Sequence, residues 1–127
     1  MKRPTDYVGL VAGALIALSS IPHSALGWPA IRAQLLSAAV SPDLVTGLMA
    51  GWQFGGAAML ACGLLTVLLF RARLAGQQPP LSPAWCVGLM FAGFGGWALV
   101  VSGGSLFFLV FLVPGLLVTL AAWGAGR

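Results

Sequence analysis

Few side chains in this sequence have reactive potential, and they stand far apart. His23 is the one histidine, Asp6 and Asp43 are the acidic residues, and Cys62 and Cys86 are the cysteines. A histidine within an apolar stretch invites proton handling, haem or metal ligation, or contact with a ligand. Ligation needs company, yet no Cys, Asp, Glu or second histidine stands near His23 in sequence. A structural hydrogen bond is its plainest role, a ligand contact the next. Haem held through a symmetric dimer is the third alternative.

The acids read as helix-start residues. Asp6 and Asp43 each lie at the beginning of an apolar stretch, where a carboxylate complements the positive helix end. Neither falls deep in a span, which counts against proton-coupled export through a membrane-embedded carboxylate. Cys86 and Cys62 differ in depth by about 9 Å at 1.5 Å per residue. That exceeds the roughly 7 Å Cα separation a disulfide tolerates, so both read as free thiols with packing roles. No catalytic residue, metal site or cofactor is expected.

Gln53 carries an amide in the middle of an apolar stretch and points roughly opposite the small residues of its own helix. An amide facing hydrocarbon is costly, so it should meet a neighbouring helix, a partner subunit or water. By depth, Ser20, His23, Trp52, Gln53 and Trp97 belong to one half of the membrane and form a candidate polar pocket there, with Trp28 at the adjoining surface. An aromatic belt explains the tryptophans equally well.

The elements that must position these residues follow from composition. Hydrophobic residues make up 60% of the 127-residue chain and charged residues 6%, against about 25% charged in globular chains. Eight formal charges cannot cover a soluble fold of this length. The basic residues are scattered, without the stripe and interleaved aromatics a nucleic-acid groove needs. The expected architecture is an all-α integral membrane fold, a single domain over residues 1–127. It is a four-transmembrane-helix bundle with a short interfacial helix between the first two spans.

The spans are expected at about residues 6–26, 43–70, 84–101 and 105–123, with the interfacial helix at about 29–40. The first stretch either continues through Pro22 with a kink and stops at Gly27, or ends early as a signal-peptide core. Ser41-Pro42-Asp43 and Ser82-Pro83 are start signatures. Ser102-Gly103-Gly104 is a tight turn, and Pro114-Gly115 predicts a kink in the last span.

Orientation follows from charge. With the N-terminus inside, Lys2, Arg3, Arg71, Arg73 and Arg127 are cytoplasmic and Arg32 alone is outside, as the positive-inside rule requires. Arginine-rich, Ala/Gly/Leu-rich composition suggests a bacterial inner membrane with both termini cytoplasmic.

Small residues should mark helix contacts. Gly9 and Gly13 share a face of the first span, Gly47, Gly51 and Gly55 of the second, and Gly88, Ala92 and Gly95 of the third. The segments 47–56 and 88–96 echo one another weakly, in keeping with an inverted repeat or with shared Gly/aromatic composition. Function remains open at this level. An accessory, scaffolding or self-associating membrane subunit is the leading expectation, with the bilayer, a second copy or another membrane protein as partners. A small-solute or lipid carrier or channel is the alternative, and a haem or redox protein using His23 the third.

Overall fold

A computed structural model describes residues 3–126 and is helical almost throughout. In chain order the elements are α1 (Pro4–Pro22), a π-helical turn (His23–Gly27), α2 (Trp28–Ser37), α3 (Pro42–Leu74), α4 (Ser82–Val101), a 3₁₀ turn (Leu106–Phe108) and α5 (Leu109–Gly126). Four helical stretches are long and apolar enough to cross a membrane: Pro4–Ser37, Pro42–Leu74, Ser82–Val101 and Leu106–Gly126.

The first of these corrects the expected boundary. Gly27 does not stop the helix; its φ of −66° and ψ of −46° are helical. Pro22 has no N–H to bond the preceding turn. The chain passes this point by widening into the π turn and then resumes as α2. Residues 28–37 therefore extend the same 34-residue helix, where a separate surface helix at 29–40 was expected. Gly27 answers to a neighbour, since a Cβ there would sit 2.8 Å from the Trp52 ring.

The other starts follow local chemistry. Pro4 and Pro42 occupy first-turn positions where their missing N–H costs nothing, and Asp6 and Asp43 lie in those first turns. Ser41 precedes α3 in an extended conformation, but its side chain makes no capping bond. At about 50 Å, from 1.5 Å per residue, α3 outruns the expected 43–70 span and carries Arg71 and Arg73 in its last turn. Between α4 and α5, Gly103 and Gly104 take φ of 70° and 93°, which glycine adopts without penalty and which closes the hairpin. Helix α5 runs through Pro114 without interruption.

Packing is pairwise. Helix α1 lies along α3 and α4 lies along α5; α1 also packs on α5, whereas α3 and α4 scarcely meet. Small residues set the close approaches. Gly9 lies under the Phe70 ring and Gly13 against Thr66, and Gly63 abuts the Ala17 backbone. In the other pair, Gly95 abuts Leu112 and Gly115 abuts Ala92. Gly88 packs on Thr119. Phe70, Ile16, Val118 and Thr66 fill the centre and are almost fully buried.

The expected packing face of α3 is displaced. Nothing lies within 4 Å of a Cβ placed at Gly47 or Gly51, and Gly55 meets just the His23 ring. Helix α1 instead approaches through Gly56 and Gly63, and Gly56 stands about 140° around the helix from Gly51. The echoed segments thus differ in environment, with Gly47 open and Gly88 tightly enclosed.

Candidate functional site

The half of the bundle away from the chain ends contains His23, and its setting begins with the π turn. His23 opens that turn, directly after Pro22, and its ring stacks on the Trp52 indole with centroids 4.3 Å apart and planes within 2°. Two hydrogen bonds tie the same residues together. The Trp52 indole N–H donates to the His23 carbonyl at 2.7 Å, and His23 Nε2 lies 3.2 Å from the Trp52 carbonyl. A carbonyl accepts and never donates, so Nε2 carries the proton. Gly55 and Gly56 make room, one facing the imidazole edge and the other receiving Ser24.

This arrangement unites part of the candidate pocket. His23 and Trp52 come together. Ser20 is buried in α1 and donates to the Ala17 carbonyl at 2.6 Å, so its hydroxyl serves its own helix. Gln53 is exposed on α3 and makes no hydrogen bond among the described residues. Trp97 is 62% exposed and rests on Phe94. The expectation grouped all five by depth, and helix rotation separates them. Trp28 is 8% exposed and packs beside Arg32 along a groove to the start of α3.

Beside His23 the two helix pairs part. A cavity of about 310 Å³ lies between Ser19, Pro22, His23 and Leu26 on one side and Phe107, Val110 and Phe111 on the other, with Met59 below. A second space of about 220 Å³ lies between Gly55 and Ala58 of α3 and Met90, Phe91 and Phe94 of α4. Both share Met59 and Phe111, so the spaces adjoin. Gly47 and Gly51 are exposed on α3 and line neither space, so of the expected small face of α3 Gly55 alone borders the gap.

The opposite end is fastened by charge, beside a space of about 530 Å³ bordered by Arg3, Asp6, Arg73 and Gln78. Arg73 Nε donates to Asp6 Oδ1 at 2.7 Å, and the two side chains are 6% and 3% exposed. Arg73 Nη2 also donates to the Ala125 carbonyl at 3.0 Å. Arg3 Nη1 donates to the Gly124 and Ala125 carbonyls at 3.2 and 3.0 Å, and its backbone N–H reaches Asp6 at 3.4 Å. One buried carboxylate and two guanidiniums thus fasten the start of α1 to the ends of α3 and α5. Cations at the end of α5 also face its negative pole.

Sequence reasoning treated Asp6 as a helix-start residue and Arg73 as an orientation signal, and missed their pairing. The available signal was that both sit at the same end of neighbouring antiparallel spans. Lys2 and Arg127, two of the orientation residues, lie outside the described residues. Among the described residues no group of three His, Cys, Asp or Glu side chains converges on a metal position. No known protein family matches the chain, and neither a curated protein nor a solved structure shows significant similarity to it.

Proposed function

We propose that this chain is a small membrane subunit that works by associating with a second copy or another membrane protein through the exposed face of α3. Gln53 carries the proposal. Its amide stands on an apolar helix, exposed and without a partner among the described residues. In hydrocarbon such an amide is satisfied by a polar group on a neighbouring helix. Phe54, 75% exposed, adjoins it on the same helix. The basic residues at the chain-end side support insertion with both ends cytoplasmic, in a bacterial inner membrane.

Association in lipid tests this. Single-molecule subunit counting in native-membrane nanodiscs should find complexes containing two or more membrane chains. Gln53→Leu should weaken association about threefold to tenfold, the range expected when one interhelical hydrogen bond is lost in a membrane. A monomer without partners in lipid, unchanged by Gln53→Leu, removes the reading. Carriage of a small solute is a second reading, favoured by the gap between the two helix pairs.

A further inference from the structure

We infer that the cavity beside the π turn is a binding site for a compact, membrane-soluble alcohol or phenol, with His23 as the residue that receives its hydroxyl. The inference stands apart from the association reading, because it uses the space between the helix pairs and not the outer face of α3.

The cavity has the dimensions of a ligand site. Its volume of about 310 Å³ falls at the lower end of the roughly 300–1,000 Å³ typical of small-molecule pockets. The wall is apolar apart from two side chains, Ser19 and His23, which follow one another by a helical turn on the same face. Membrane-soluble molecules have direct access, since Leu26, Phe107 and Val110 at the rim are exposed on the outer surface of the bundle.

Hydrogen-bond accounting selects the ligand. The Ser19 hydroxyl proton is committed to the Leu15 carbonyl at 2.7 Å. The His23 Nε2 proton is committed to the Trp52 carbonyl. In a neutral imidazole the remaining nitrogen, Nδ1, is then a bare acceptor. Both polar side chains of the wall have spent their donors and retain acceptor lone pairs. A carboxylate, a phosphate or a ketone finds no side-chain donor here. A charged amine would donate but must shed its hydration among apolar side chains, at a cost that one acceptor does not offset. A neutral hydroxyl on an apolar body satisfies both demands.

The backbone supplies an independent pointer. Pro22, His23, Leu26 and Gly27 all line the space, and the last three belong to the π turn. Single π turns inside α-helices occur frequently at functional sites, where the wider turn redirects side chains. Here the stack on Trp52 and the two reciprocal hydrogen bonds fix the imidazole, so the acceptor is preorganised. Preorganisation lowers the ordering cost of binding.

The test is equilibrium dialysis of 1-naphthol and 1-methoxynaphthalene against nanodiscs with and without the full chain. These probes share an aromatic body and differ in the hydroxyl proton. The wild-type chain should add one saturable site for 1-naphthol, with affinity about twofold to tenfold above that for the methyl ether, the range of one net hydrogen bond. His23→Phe should retain saturable binding and abolish the preference. Val110→Trp, which fills the space from a half-exposed position, should remove saturable binding of both probes. Linear partitioning into protein-containing discs, equal affinities, or a preference that survives His23→Phe overturns the inference. If His23→Phe does not fold, the wild-type probe pair and Val110→Trp still decide.

Discussion

The two ends of the bundle are held by opposite means. At the chain-end side, α1, α3 and α5 converge on a buried ion pair whose spare donors find backbone carbonyls of α5. At the other side, the α1–α3 and α4–α5 pairs stand apart around adjoining apolar spaces, and the one polar cluster, His23 with Trp52, lies wholly within the first pair. The lesson is that the two ends differ in what lines their spaces, charged and polar side chains at one and apolar side chains at the other. Charge joins the helix pairs at the chain-end side, and at the His23 side each pair is held by its own contacts while the two pairs part.

The sharpest way to break this contrast is to unpair the charged end. Arg73→Ala strands the Asp6 carboxylate, and Asp6→Ala strands the guanidinium. Removing one member of a buried pair costs about 3–5 kcal/mol, so either variant should lose most of its cooperative thermal transition in detergent. Asp6→Leu with Arg73→Met should recover much of that loss, because an apolar pair strands no charge. A double variant as unstable as the singles would show that the pair does more than satisfy itself.

Glycine substitutions compare a helix interface with the exposed side of α3. Gly63→Leu drives a side chain into the Ala17 backbone and should cost at least the 1–3 kcal/mol of ordinary overpacking, read as a lowered Tm. Gly51→Leu meets open space and should leave the Tm of the isolated chain nearly unchanged. Equal destabilisation by both would mean that the Gly51 side of α3 is packed against the rest of the chain. The smallest effect is expected at Thr5, whose buried hydroxyl makes no hydrogen bond among the described residues. Thr5→Val keeps the shape and removes the orphaned group, so Tm should hold or rise slightly.

These contrasts mark where the sequence could be read and where it could not. Four apolar stretches announce themselves by length and composition, because a helix must be long and greasy to cross hydrocarbon. The end of the first stretch was illegible. Gly27 has the composition of a stop, yet its role is set by Trp52, a residue on another helix. The small face of α3 was legible as a face, but periodicity does not say which neighbour arrives on which side. Helix α1 took the Gly56–Gly63 side and left Gly47 and Gly51 exposed. Depth matching did bring His23 and Trp52 together and failed for Gln53 and Trp97, since depth carries no rotation. The Asp6–Arg73 pair spans 67 positions, beyond any local pattern.

The carbonyls that complete the charged lock belong to the last turn of α5, so the bundle cannot be sealed before that helix has formed. When α1 and α3 have entered the membrane, Asp6 and Arg73 can already meet, yet Arg73 still lacks its Ala125 acceptor and Arg3 lacks both of its own. The donors of the first helix pair are thus filled by the last helix of the second.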